Sequence, residues 1–280
     1  MNKVIELTPD YLNTVDSIEK KIIDHKLNGG PKATRITITD HDTGKVLGEY
    51  HNKVVITGST FSATNAFGIE SPVILPNYND ELGLDNSLDY SKELPKNSPI
   101  VCLFCIGDSG CGSTQKDVFV ANFTDRIEPI GDILPFRYVS KSNDLNSDLR
   151  KYYFGRKTDG DKVAYYFKSF DTTPQLHLRY TDGTQINSEM YFIDTEQAAE
   201  CFVETRLRIT REDFRDYFEQ VRGWENARIS TLSLCYAWYD NTIDEYKWYQ
   251  QIYPYTKLNF SVEWLMDLTK AIDFQYKIFY

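Results

Sequence analysis

Gly107-Asp108-Ser109-Gly110 is the tetrapeptide that comes nearest to a catalytic motif, because it matches the nucleophile loop of a serine protease. Ser109 would act as a nucleophile only with a histidine base, an aspartate to orient that base, and backbone amides facing the oxyanion. The upstream histidines are His25, His41 and His51. His41 falls in a hairpin turn and His51 in an adjacent polar turn, and neither has the flanking residues of such a base. The chain from His51 to Ser109 is also short for a protease core. A serine hydrolase using Ser109 is therefore the lesser alternative to a Gly-rich turn between strands.

Cys102-x-x-Cys105, followed by Cys111, invites a zinc or redox assignment. The first two thiols lie inside an apolar strand, where positions three apart point to opposite faces, whereas a zinc knuckle needs them on a turn. A fourth ligand would have to come from Cys201, Cys235 or a distant histidine. With 5 cysteines in a long chain, reduced and mostly buried thiols are expected. Asp40-His41-Asp42 and Asp159-Gly160-Asp161 have the chemistry for calcium but not the loop spacing, and Asp at turns has its own local hydrogen bonds to make. Gly107 to Gly112 lacks the lysine and following helix of a phosphate loop. No catalytic, cofactor-binding or metal-binding residue is assigned from these patterns, and no cofactor is expected. The ring clusters Tyr152-Tyr153-Phe154, Tyr165-Tyr166-Phe167 and Tyr246 to Tyr255 fit core and interface packing better than stacking on sugars or bases.

The composition points the same way. Among 280 residues there are 20 Tyr, 16 Phe and 4 Trp against 3 Met, a bias toward pleated, half-buried surfaces. The net charge of −10 comes with no run of Lys and Arg, which argues against a specific nucleic-acid partner and for protein partners. No stretch approaches the ~18 apolar residues that span a bilayer, so no membrane partner is expected. Met1 to Asp10 lacks a basic region followed by an apolar run, which predicts synthesis and assembly in a cytoplasm.

The elements that must position these residues are mostly strands. The first segment is the exception: Thr8, Pro9 and Asp10 open a helix whose Leu12, Val15, Ile18, Ile22 and Ile23 form one apolar stripe, and Gly29-Gly30 ends it. From Arg35 the period becomes two, with a hairpin through Asp42-Thr43-Gly44-Lys45, a short strand from Lys53 to Thr57 and a helix from Thr60 to Phe67. Residues 70–98 are rich in Pro, Asn and Gly and predict a long irregular arm of the kind an assembly protein uses to grip neighbours. Further strands are expected at Ile100 to Ile106, Pro135 to Ser140, Lys162 to Phe170, Gln175 to Tyr180, Phe202 to Ile209, Arg228 to Trp238, Leu258 to Phe260 and Phe274 to Tyr280. A helix capped by Thr210 runs to Gln220 and stops at Gly223. The expected class is mainly β (α+β), with β-sandwich-like sheets. The expected organisation is a helical arm over 1–30 and a body over 31–280, with 31–140 and 141–280 as candidate subdomains.

Several of these segments carry a resemblance. His51-Asn52-Lys53-Val54-Val55-Ile56-Thr57-Gly58-Ser59, Leu134-Pro135-Phe136-Arg137-Tyr138 and Tyr153-Phe154-Gly155-Arg156-Lys157 resemble virion structural proteins of large tailed bacteriophages. So do Ala164 to Lys168, Ala227 to Leu234, and the stretch from Thr256 to Lys270. The resemblance implies a non-enzymatic virion component of tail, neck (connector) or baseplate. It also implies partners among virion proteins and copies of itself, in a ring or other homo-oligomer. A carbohydrate- or receptor-binding β-module of a phage particle is the alternative.

Overall fold

The computed structural model describes residues 33–68, 77–85, 99–108, 110, 133–186, 199–240, 248–264 and 271–280. The expected helix at Thr8 to Gly30 lies outside them. The strands are β1 Ala33–Asp40, β2 Val46–Val54, β3 Ile100–Gly107, β4 Arg137–Ser140, β5 Tyr153–Asp159, β6 Lys162–Ser169, β7 Gln175–Tyr180, β8 Ala199–Ile209, β9 Arg228–Asp240, β10 Trp248–Trp264 and β11 Ile272–Phe279. Among the described residues three α-helices join them: α1 Ile56–Phe67, α2 Tyr78–Leu82 and α3 Arg211–Tyr217. The protein is mainly β, as the alternation of apolar and polar residues predicts.

All the described strand pairs are antiparallel, and they form one ladder that folds over at β2. Residues 46–52 of β2 pair with β1, whereas Lys53 and Val54 pair with β10. The first sheet runs β2-β1-β11-β8-β7 and the second β10-β9-β3-β6, with β4 beside β3 on one edge of β6 and β5 on the other. The ladder does not divide near residue 140: β3 lies between β6 and β9, and β1 between β2 and β11. Sheets of this kind are built from strands far apart in sequence, so halves of the chain need not be halves of the fold.

Between the sheets lies the main core. Ile36, Ile38, Leu207, Phe274 and Tyr276 of the first sheet face Phe104, Leu232, Leu234, Tyr255 and Phe260 of the second, all nearly or fully buried. Phe214 of α3 and Phe218 close one end, with Phe214 stacked on Phe136 at 4.8 Å. A second cluster covers the opposite face of the second sheet, where Leu103, Cys105, Phe154, Phe167, Cys235 and Ile252 pack beneath Tyr78 and Leu84. The molecule thus has a sheet, a core, a sheet and a thin outer layer.

Several boundaries differ from expectation for identifiable reasons. The separate strand at Lys53 to Thr57 is the end of β2, and helix α1 starts at Ile56 instead of Thr60. Thr57 donates its hydroxyl to the Pro254 carbonyl of β10, and Phe61 stacks on Tyr236 of β9 at 4.5 Å, so packing on the second sheet sets the start of that helix. The middle of the expected irregular arm, residues 77–85, carries a short helix and is seated on the second sheet. Asn77 caps α2 by accepting from the Asp80 amide at 3.0 Å, and Tyr78 is fully buried against Phe167. The capping box at Thr210 is present, with Asp213 as its partner, and the chain leaves α3 through a π-turn, Phe218–Arg222, ending at Gly223.

Gly155 in β5 shows how tight the outer layer is. It has φ +64°, and a Cβ there would stand 2.3 Å from the Phe167 ring and 3.3 Å from Leu84. Backbone strain and overpacking therefore act together. Gly155→Ala is expected to cost about 2–4 kcal/mol, read as a lower urea midpoint; a change within experimental error would contradict this packing.

Candidate functional site

The Gly107-Asp108-Ser109-Gly110 turn is built against β9. The Gly110 amide donates to Ser230 Oγ at 2.8 Å, and a Cβ at Gly110 would lie 2.1 Å from the Ser230 carbonyl oxygen. Asp108 is ion-paired with Arg222. Glycine is needed here for close backbone approach, and that need alone accounts for it. Ser109 lies outside the described residues, as do Cys111 and His25. His51 sits within β2 opposite Arg35 and not in a turn. His41 does sit in the hairpin turn, but its Nδ1 lies 3.0 Å from Asp273 Oδ2 on the first sheet. Of the upstream histidines, the two described ones, His41 and His51, belong to the first sheet, whereas the motif is built against the second.

The thiols correct a geometric expectation. A register shift between Val101 and Leu103 breaks the alternation of β3, so Val101 packs on the main core while Cys102 joins Leu103 and Cys105 on the outer cluster. Cys102 and Cys105 therefore share a face. Cys235 of β9 completes the group, with its Sγ 3.9 Å from that of Cys105. Burial pushes the Cys235 thiol well up, reinforced by Cys105. A thiol kept protonated is a poor nucleophile and a poor metal ligand. No group of three His, Cys, Asp or Glu with metal-binding geometry occurs among the described residues.

Three carboxylates organise the polar interior. Asp213 is fully buried and accepts from the Tyr153 hydroxyl at 2.6 Å, Lys168 Nζ at 2.8 Å and the Thr210 amide at 2.7 Å. Asp144 accepts from the Tyr165 hydroxyl at 2.6 Å and from Arg156 Nε at 3.0 Å. Burial alone would raise the Asp144 pKa, but the hydrogen bonds from Tyr165, the Leu145 amide and Arg156 outweigh it and lower it. Asp273 behaves alike: burial opposes ionisation, yet Arg208 and His41 hold its pKa below the usual value. Asp213 ties α3 to β5 and β6, Asp144 ties the segment after β4 to β5 and β6, and Asp273 ties β11 to β8 and to the turn after β1.

The ring clusters go largely to the core. Phe154, Tyr165, Phe167, Tyr253 and Tyr255 are buried, whereas Tyr152 remains 53% exposed. What sequence analysis missed is an apolar overhang on the first sheet. Leu178, Cys201 and Tyr280 form one row, and Leu176, Val203 and Ile278 the next, on the face that elsewhere lines the main core. Leu176 is 64% exposed, Leu178 38% and Tyr280 43%. The signal was present in the alternation of Gln175-Leu176-His177-Leu178, which predicts a strand with one apolar face but not whether that face is covered. A polar crevice of about 230 Å³ lies nearby, lined by Thr172, Gln175, Glu204, Arg206 and Gln275. No helix among the described residues is long and apolar enough to cross a membrane. In comparisons with protein-family models, curated proteins and solved structures nothing matches, so the functional argument rests on geometry and on the resemblance in the sequence.

Proposed function

We propose that this chain is a non-catalytic building block of a protein assembly, a component of a tailed-phage virion in its tail, neck or baseplate, acting through contacts with copies of itself and with other virion proteins. The overhang carries the proposal. Apolar side chains exposed on the inner face of a sheet are costly for a chain that stays alone and useful for one that associates. Beyond β8 the first sheet continues with β7, along which residues 184–186 turn back, and Leu176 and Leu178 project from the same face as Tyr280. A second copy laid on this row would cover it. Carboxylate networks within each sheet, Asp273 in the first and Asp144 and Asp213 in the second, suit a part that must keep its shape.

Light scattering across a concentration series tests this. The protein is expected to form a defined oligomer, and Leu176→Asp with Leu178→Asp is expected to return it to the monomer mass with unchanged circular dichroism. A wild-type monomer at every concentration, or a double variant that assembles as well as the parent, would count against the proposal.

A further inference from the structure

Residues 77–85 meet the rest of the molecule much as a bound peptide meets its receptor. Two apolar anchors, Tyr78 at 0% and Leu84 at 2% exposure, enter the outer cluster of the second sheet. Polar contacts hold the segment between and beyond them. Asn79 Oδ1 accepts from the Ile252 amide at 2.7 Å. The Asp85 amide donates to the Arg156 carbonyl at 2.9 Å, and Asp85 Oδ1 accepts from the Thr158 amide at 2.7 Å. These last two bonds lie along β5, the edge of the second sheet, so the segment caps that edge.

The receiving side is shaped for it. The pairing of β10 with β9 skips Gln251 and Ile252, and Gln251 is held at φ 49°, which leaves the Ile252 amide free of the ladder and available to Asn79. Gly155 leaves the space that Leu84 fills. Arg156 already bonds Asp144 and adds Asp85 as a second carboxylate.

Every one of these contacts joins the segment to elements distant in sequence, and none depends on which copy of the chain supplies it. Residues 69–76 connect the segment to α1, and residues 86–98 lead toward β3. Chains of 8 and 13 residues can span at most ~26 Å and ~43 Å when fully extended, more than the width of a few strands. We propose that in the assembled protein this segment is exchanged: residues 77–85 of one copy occupy the seat on β5, β6 and β10 of the next. The same contacts made between copies cost only the loss of an intramolecular effective concentration, which a closed assembly restores. This inference rests on the assembly proposal above and supplies it with a head-to-tail contact.

The experiment pairs Asp85→Cys with Thr158→Cys in the full chain, oxidises the assembled fraction and resolves it without reductant. Exchange predicts covalent multimers in the double variant that are missing from either single variant and collapse on reduction. Disulfides within single chains in a fraction that light scattering shows to be assembled would overturn the exchange and leave the assembly proposal standing. No assembled fraction at any concentration of the unmodified protein would overturn both. Should the cysteine pair itself block assembly, the unmodified protein decides. Light and heavy isotope-labelled chains are then co-assembled and linked by a carbodiimide. Mixed-isotope links between the 77–85 peptide and the β5 peptide support exchange, and same-isotope links alone overturn it.

Discussion

Replacing Asp213 with alanine is expected to cost about 3–5 kcal/mol, a large part of the 5–15 kcal/mol that holds a typical domain folded. The carboxylate is fully buried, and Lys168, whose side chain is only 15% exposed, points its ammonium at it from 2.8 Å. Removing the acid leaves that cation with no opposing charge and strands the Tyr153 hydroxyl and the Thr210 amide as well. Desolvated groups left without partners cost more than the bond itself was worth. Asparagine is no remedy, because its single oxygen cannot serve Tyr153 on one side and both Lys168 and Thr210 on the other. Urea unfolding monitored by Trp fluorescence gives the number. Adding Lys168→Met to Asp213→Ala should recover part of the loss, since the uncompensated cation is then gone. A single-variant loss below ~1 kcal/mol, within the range of an exposed pair, would show that the network is not the clamp between α3 and the second sheet.

Alkaline unfolding is the second large effect. Tyr153, Tyr165, Tyr236, Tyr253 and Tyr255 all have raised pKa values, first because they are buried. The Asp213 charge adds to the shift of Tyr153, and the bond to Asp144 to that of Tyr165. Burial and the charge of Asp80 push Tyr253 up to about 12. In the unfolded chain these phenols ionise near 10. Between about pH 10 and the native values the unfolded state therefore binds fewer protons than the native one, and stability falls as pH rises. Their contribution is fully present below pH ~10, and above it each phenol still protonated removes about 1.4 kcal/mol per pH unit. Exposed phenols ionise gradually near pH 10, and the buried ones should add a cooperative step in tyrosinate absorbance between about pH 10 and 12, coincident with loss of the near-ultraviolet dichroism. A gradual titration with the dichroism intact would show that the rings reach solvent without unfolding. Tyr253→Phe should move the step to higher pH.

Much of the fold was legible because strand periodicity is a local property. Gln175–Tyr180, the cap at Thr210 and the stop at Gly223 are where residue types place them. Each rests on chemistry within a few residues: alternation, an accepting side chain, or a glycine at positive φ. The start of α1 was not legible, because Val55 offers no capping side chain and contact with β10 sets the boundary. Nor was the shared face of Cys102 and Cys105, since a bulge is decided by how β3 meets β9.

The candidate sites divide along the same line. Residue types alone marked Gly110 as a turn glycine and Cys105 and Cys235 as core thiols, because those assignments follow from conformational freedom and from the burial preference of cysteine, whereas Cys102 and Cys201 are only partly buried. Only the tertiary structure could pair Asp213 with Lys168, 45 residues away, or Asp85 with Thr158, 73 residues away. Only it could turn the middle of an irregular stretch into a seated segment, or leave Leu176 and Leu178 bare while equally apolar neighbours are covered. Local sequence dictates which face of a strand is apolar; what lies opposite that face is settled by chain segments that meet only when the whole ladder has closed.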